Sequence, residues 1–388
     1  MDYPVKHFES DDAGAPSLDR TLPGSLIQVL KQCLIEGYNL QPFDSLETEE
    51  GEGKANFPGN HGFRLHQVIS ISGAAGSAWN GEHRVTAVGT QWIRFEVEGE
   101  PAGESGSGLE IKAAPAGGWA MPLISAEEDR AAFRSDDPSG SRMFWYLDDR
   151  RTADIESPPG GNSTNLDFRL LLGAEDMPDI DTRVDDWGDG WVFVGSSAQG
   201  DVIPYDIIAD DRTVYLITHP INDTGTYRTV HAFGDFVSGV PGDPYAAFLV
   251  LANAGDADDT DDGLNCSYWG DMSATAHKWL ARDHAGAEPI TFRLIGSSAA
   301  GNLGNGGFDY PNPANLELFV HAELLIAHGS TLRGRAPGVA QPLHPTPLAS
   351  REAARVAGRL YKAISHAATV TTTPAEGQTF FDLTGPWR

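Results

Sequence analysis

Apolar residues recur along this chain with two periods, and the shorter one dominates. The longer period shows near the start. In residues 25–36, Leu26, Val29, Leu30, Cys33 and Leu34 fall on one face at helical spacing. A helix is expected there, with Ser25 as its cap, Gln28 as the reciprocal partner three residues on, and Gly37 as the stop. Most other apolar residues stand in short runs between glycine and proline clusters, which predicts strands. Residues 67–72, 84–88, 92–97 and 109–113 are such runs, with Asn80-Gly81 as a tight turn among them. Further strands are expected at 142–147, 166–172, 191–194, 213–218, 229–233, 246–251, 290–295, 316–325 and 379–383. Residues 350–364 depart from this: Ala353, Val356, Leu360 and Ile364 are spaced for one helical face, so a second helix is expected.

The polar, Pro/Gly-punctuated residues 1–23 read as an extended arm, residues 47–54 as an acidic loop, and residues 114–119 as a linker. The expected fold is mainly β with a few helices. A small N-terminal α+β or β-barrel-like module, residues 1–115, is followed by a larger β-sandwich-type region, residues 116–388. With 388 residues the chain is long enough for two or three domains and a sizeable core.

Charge narrows the partners. Lys plus Arg number 27 and Asp plus Glu 55, a net charge of −28. Such a chain repels nucleic acid and anionic membrane surfaces, so neither is expected as a partner. No apolar run approaches the length of a membrane span, and the N-terminus has no basic stretch followed by an apolar one. The expectation is a chain made in the cytoplasm that stays soluble. Cys33 and Cys266 belong to no C-x-x-C pair, so a zinc or redox centre is not expected. Two reduced buried thiols are expected, with a Cys33–Cys266 disulfide as the alternative.

Residues 256–262 are the densest carboxylate cluster. Read as a calcium loop they place Asp258, Thr260, Asp262 and Gly263 correctly, but Trp269 stands where a bidentate Glu is needed. A solvated acidic turn is expected instead. His321-Ala-Glu323 matches half of a zinc-deaminase motif and lacks the P-C-x-x-C half, so it reads as the outer face of a strand. The glycines of 301–307 lack the spacing of a phosphate cradle and read as a loop. G-x-S-x-G, Walker A and H-E-x-x-H are all absent from the sequence. No catalytic residue, cofactor or metal is therefore expected. The nine tryptophans fit either β cores or exposed interface and sugar sites.

Several segments together resemble a family of virion structural proteins of tailed bacteriophages and prophages. They are Pro4–Phe8, Gly14–Leu18 and Gly24–Asn39, then His61-Gly-Phe63 and Asn80–Val88. Phe133–Met143 and Asp148-Asp149 follow, then His231–Phe236 with Pro241-Gly-Asp243. Last come Arg333–Gly338 with Pro342-Leu-His344, and Trp387-Arg388. The resemblance runs in order over nearly the whole chain and leaves out residues 256–262 and 350–364. It implies a structural part of the particle acting without catalysis, and does not say which part; the tail or baseplate is the expected place, for a chain made in the host bacterial cytoplasm. On that reading the expected partners are other virion proteins and copies of the chain itself, in a symmetric homo-oligomer. A head or neck decoration protein, or a receptor- or glycan-binding module using exposed aromatics, is the alternative. A glycoside hydrolase with paired carboxylates is the enzymatic reading. In so acidic a subunit, Arg333 and Arg335 are the expected inter-subunit contacts, because an interface between like charges needs local positive charge. The competing expectation is that both brace their own loop against acids such as Glu317 or Glu323.

Overall fold

Alternation of buried side chains builds the molecule around a sheet covered on both faces. The computed structural model describes residues 3–151, 166–188, 190–196, 200–219, 228–251, 278–295, 309–344, 347–367 and 376–388. Its central sheet has seven antiparallel strands, in the order Lys6–Glu9, Tyr205–Ala209, Thr213–Thr218, Thr229–Asp235, Ala247–Val250, Lys278–Leu280 and Ile290–Thr291. Successive side chains of a strand point to opposite faces. Phe8, Ile207, Val214, Leu216, Phe233 and Leu249 accordingly enter one core, and Ile208, Tyr215, Ile217, Val230, Phe248 and Val250 enter another.

The first face is covered by strands Trp119–Ile124, Arg130–Ser135, Phe144–Asp148, Leu166–Asp179 and Thr182–Trp187, with Trp191–Ser196 paired to the long strand Leu166–Asp179. Helix Ser25–Lys31 packs into the same core through Leu26, Ile27 and Leu30. The second face is covered by two sheets. One runs Val237–Ser238, Thr331–Arg335, Leu325–His328, Arg293–Ile295; the other Val320–Ala322, Val339–Pro342, Glu376–Asp382, Arg359–Ala367, Ala353–Val356. The protein is thus mainly β, with stacked sheets and, among the described residues, one α-helix.

Between Tyr38 and Ala113 the chain forms an eight-stranded sheet bent around its own core of Leu46, Trp79, Val85, Ile93, Phe95 and Ile111. Trp79 is fully buried and donates its indole N–H to the Ala102 carbonyl at 3.0 Å. This sheet is tied to the rest of the chain. Arg84 donates to the Leu383 carbonyl at 2.6 Å, and Tyr3 to Glu96 at 2.9 Å.

Several expectations change on contact with the structure. The helix face Leu26, Val29, Leu30, Cys33 and Leu34 is buried as expected, but the α-helix ends at Lys31 and continues as a π-helical turn, Gln32–Glu36. Ser25 does not cap it; its hydroxyl donates to the Asp19 carbonyl. The cap is the carboxylate of Asp149, which accepts from the amides of Leu26 and Ile27 at 2.7 and 3.1 Å. The same carboxylate takes the Arg169 guanidinium at 2.6 Å, and burial nonetheless pushes it up to about 6. The expected second helix at 350–364 is a hairpin of Ala353–Val356 and Arg359–Ala367, turned by Ala357-Gly358 at φ 50° and 83°. Positive φ at both central residues is what a type I′ hairpin turn requires. The expected acidic loop at 47–54 is a hairpin too, Ser45–Glu49 with Glu52–Asn56. The arm is partly a strand of the central sheet. In the expected linker, Ala114, Ala116 and Trp119 are buried, and the amides of Ala116 and Gly117 donate to the Cys33 and Leu34 carbonyls. Residues 256–262, Cys266, Trp269 and residues 301–307 lie outside the described residues, so the readings made there stand as sequence readings.

Candidate functional site

The segment Arg333–Gly338 links the two sheets that cover the second face. Arg333 and Arg335 belong to strand Thr331–Arg335, and Val339–Pro342 starts the next sheet just after Gly338. The two arginines have different surroundings. Arg333 is 3% exposed; it donates to the Arg282 carbonyl at 2.9 Å, pairs with Asp243 at 3.5 Å and lies over the Phe236 ring. Arg335 pairs with Glu323, and both side chains keep well over a third of their surface. The bracing partner anticipated at Glu323 is therefore present, while Glu317 is engaged by Asn315. His321 starts this stretch in strand Val320–Ala322; its side chain lies outside the described residues.

The turn out of this segment depends on Gly338. Its φ is 69°, and a Cβ there would stand 2.1 Å from the Trp387 ring. The indole packs against the bare Gly338 backbone and donates to the Asp382 carbonyl at 2.8 Å. Asp382 accepts from the Arg359 Nε at 2.6 Å and from the Thr384 amide at 2.8 Å. These groups line an open pocket of about 270 Å³, together with the pair Arg335 and Glu323, and with Arg359, Asp382, Tyr361 and Trp387 among its walls. Burial, reinforced by the Asp382 carboxylate, raises the Tyr361 phenol above its ordinary value, and Arg359 opposes the rise.

Sequence reasoning found Arg335 and missed Arg359, Tyr361 and Asp382. Two of these lay in the segment read as a helix. Among the described residues exposed tryptophan, the signal for a binding surface, is scarce: Trp79, Trp119, Trp145, Trp187, Trp191 and Trp387 are buried.

A second cluster fastens the arm. Glu9 pairs with Lys362, with Arg64 at 2.8 Å and with Arg351 at 3.7 Å. Arg64 also holds Asp12 at 2.9 Å, and Arg351 holds Asp206 at 2.7 Å. Burial alone pushes Asp206 upward, but the His219 hydrogen bond and the charges of His219, Arg351 and Lys362 outweigh it and hold the carboxyl well below the usual range. Among the described residues no group of three or more His, Cys, Asp or Glu is arranged to hold a metal ion, and no helix is long and apolar enough to cross a membrane.

No family model and no curated protein matches this chain. Among solved structures it aligns with the phage phi92 endosialidase at 11% identity and a TM-score of 0.16, over 90% of this chain and 52% of that one. The chain thus spans about half the length of that protein. Agreement at this level carries neither fold nor function from one chain to the other.

Proposed function

We propose that this chain is a structural component of a tailed-phage particle, placed in the tail or baseplate, made in the host cytoplasm and working through contacts with copies of itself and other virion proteins, without catalysis. The ordered resemblance along nearly the whole sequence supports this reading. The observation that carries it is the fastening of Glu9. One nearly buried carboxylate gathers cations from the N-terminal module, Arg64, and from the C-terminal sheet and its approach, Lys362 and Arg351. Buried pairs add little net stability but are costly to break, so they fix geometry. A subunit that repeats symmetric contacts needs that fixed geometry.

Of the two arginines, Arg335 is the one we assign to a neighbouring subunit, since its guanidinium reaches solvent. Its pair with Glu323 is exposed, worth about 0–1 kcal/mol, and a neighbour's carboxylate can replace it. Arg335→Ala is expected to keep the circular dichroism spectrum and melting temperature of the parent and to fail to enter particles in an infection complementation assay. Incorporation at the parental level would remove the contact, and particles that never contain the parent chain would remove the structural role.

A further inference from the structure

We propose that the pocket beside Arg333–Gly338 binds a neutral sugar ring of a glycan. Its polar lining is two guanidinium–carboxylate pairs, Arg335 with Glu323 and Arg359 with Asp382. A guanidinium only donates hydrogen bonds and a carboxylate only accepts them. A donor and an acceptor side by side match a hydroxyl, which does both, and two such pairs in one lining match two hydroxyls of a pyranose. The charges balance within the lining, so the pocket offers an ion no net attraction, and the chain's charge of −28 works against an anionic ligand. Tyr361 and Trp387 are the aromatic members of the lining, each with little exposed surface, and give it an apolar part for the C–H groups of a sugar. The Tyr361 hydroxyl has no hydrogen-bond partner among the described residues and is left to meet a ligand.

Size and rigidity agree with this class. A pocket of about 270 Å³ lies just below the range for drug-sized ligands, about 300–1,000 Å³, and suits one ring. The groups are held in place beforehand: Asp382 by Arg359 and the Thr384 amide, Trp387 by the Gly338 backbone and the Asp382 carbonyl. Preorganised groups lose little freedom on binding.

The inference stands apart from the assembly role. A neighbour seated over Arg335 would compete with the sugar, so binding is measured on the isolated full chain. Saturation-transfer NMR and titration would use glucose, galactose and N-acetylglucosamine, with glucosamine and N-acetylneuraminic acid as charged controls. At least one neutral sugar is expected to bind in preference to both charged ones. Tyr361→Phe and Glu323→Gln, each checked for parental near-UV circular dichroism, should each weaken it roughly three- to tenfold, the loss of one hydrogen bond. No binding by any neutral sugar, binding by the charged sugars alone, or parental affinity in both variants would overturn the proposal. None of these results touches the incorporation of Arg335→Ala, so the two readings fail separately.

Discussion

Burial decides the protonation of single residues here, and His231 is the clearest case. It sits in the central sheet with no exposed surface, its ring 3.5 Å from the Thr218 hydroxyl. Burial lowers its pKa to about 3, against a smaller opposing effect of the Phe193 backbone. In the unfolded chain the same imidazole takes up a proton near pH 6.5. The unfolded state therefore binds more protons between about pH 6.5 and 3. The stability His231 secures is whole above that window and is lost as the pH falls through it, at about 1.4 kcal/mol per pH unit. Asp149, raised to about 6, acts in the opposite sense, since its folded form takes the proton first. A comparison with His231→Asn cancels that contribution. Urea unfolding between pH 6 and 4.5 should give the variant the shallower loss of stability on acidification. Parallel slopes would mean that His231 is protonated in the folded protein.

At the scale of elements, what was local was legible. The helix face at Leu26, Leu30 and Leu34 and the strand at Thr213–Thr218 follow from side-chain period alone. What depended on distant chain was not. The helix cap was read at Ser25, but the group that does the capping, Asp149, is 122 residues beyond Ile27. The segment 350–364 misled because Leu360 and Ile364 satisfy helical spacing and also share one face of a strand, with the nearly buried Lys362 between them on that same face. The turn between its strands has Ala357 where Asn is the usual residue, which hid the hairpin signal and with it the pocket residues Arg359 and Tyr361. That history makes a prediction of sign. Asn tolerates positive φ better than Ala, so Ala357→Asn should stabilise the exposed turn, by a few tenths to about 1 kcal/mol. In a helix the same change would destabilise by up to about 0.7 kcal/mol. The direction of the shift in melting temperature distinguishes the two.

At the scale of the molecule, the N-terminal module ending near residue 115 is a proposal, and its most accessible backbone can be tested mechanically. Residues 98–108 are mostly exposed, whereas Ala113, Ala114, Ala116 and Trp119 are buried. Limited proteolysis should cut first within 98–108 and leave a C-terminal fragment beginning there. Ties such as Arg84 to Leu383 and Glu9 to Arg64 should keep the two pieces together on a native gel. Early cuts scattered along the whole chain would count against 98–108 as the most accessible segment of the N-terminal module.

The fastening of Glu9 also sets an order of events during synthesis. Its partner Lys362 is 353 residues further along the chain. At translation rates of about 5–20 residues per second, the Lys6–Glu9 segment waits roughly 20–70 s between leaving the ribosome and meeting that lysine. The bent sheet of residues 38–113 has all its strands within the first third of the chain and is complete much earlier. The strand partner of Lys6–Glu9, Tyr205–Ala209, lies about 200 residues on, so for roughly 10–40 s the nascent chain carries one finished module beside an unpaired strand of the central sheet, and the Glu9–Lys362 pair closes only later. An unpaired strand edge invites association with other chains. That interval, more than the finished fold, is when this protein is exposed to aggregation and when a ribosome-associated chaperone has something to hold.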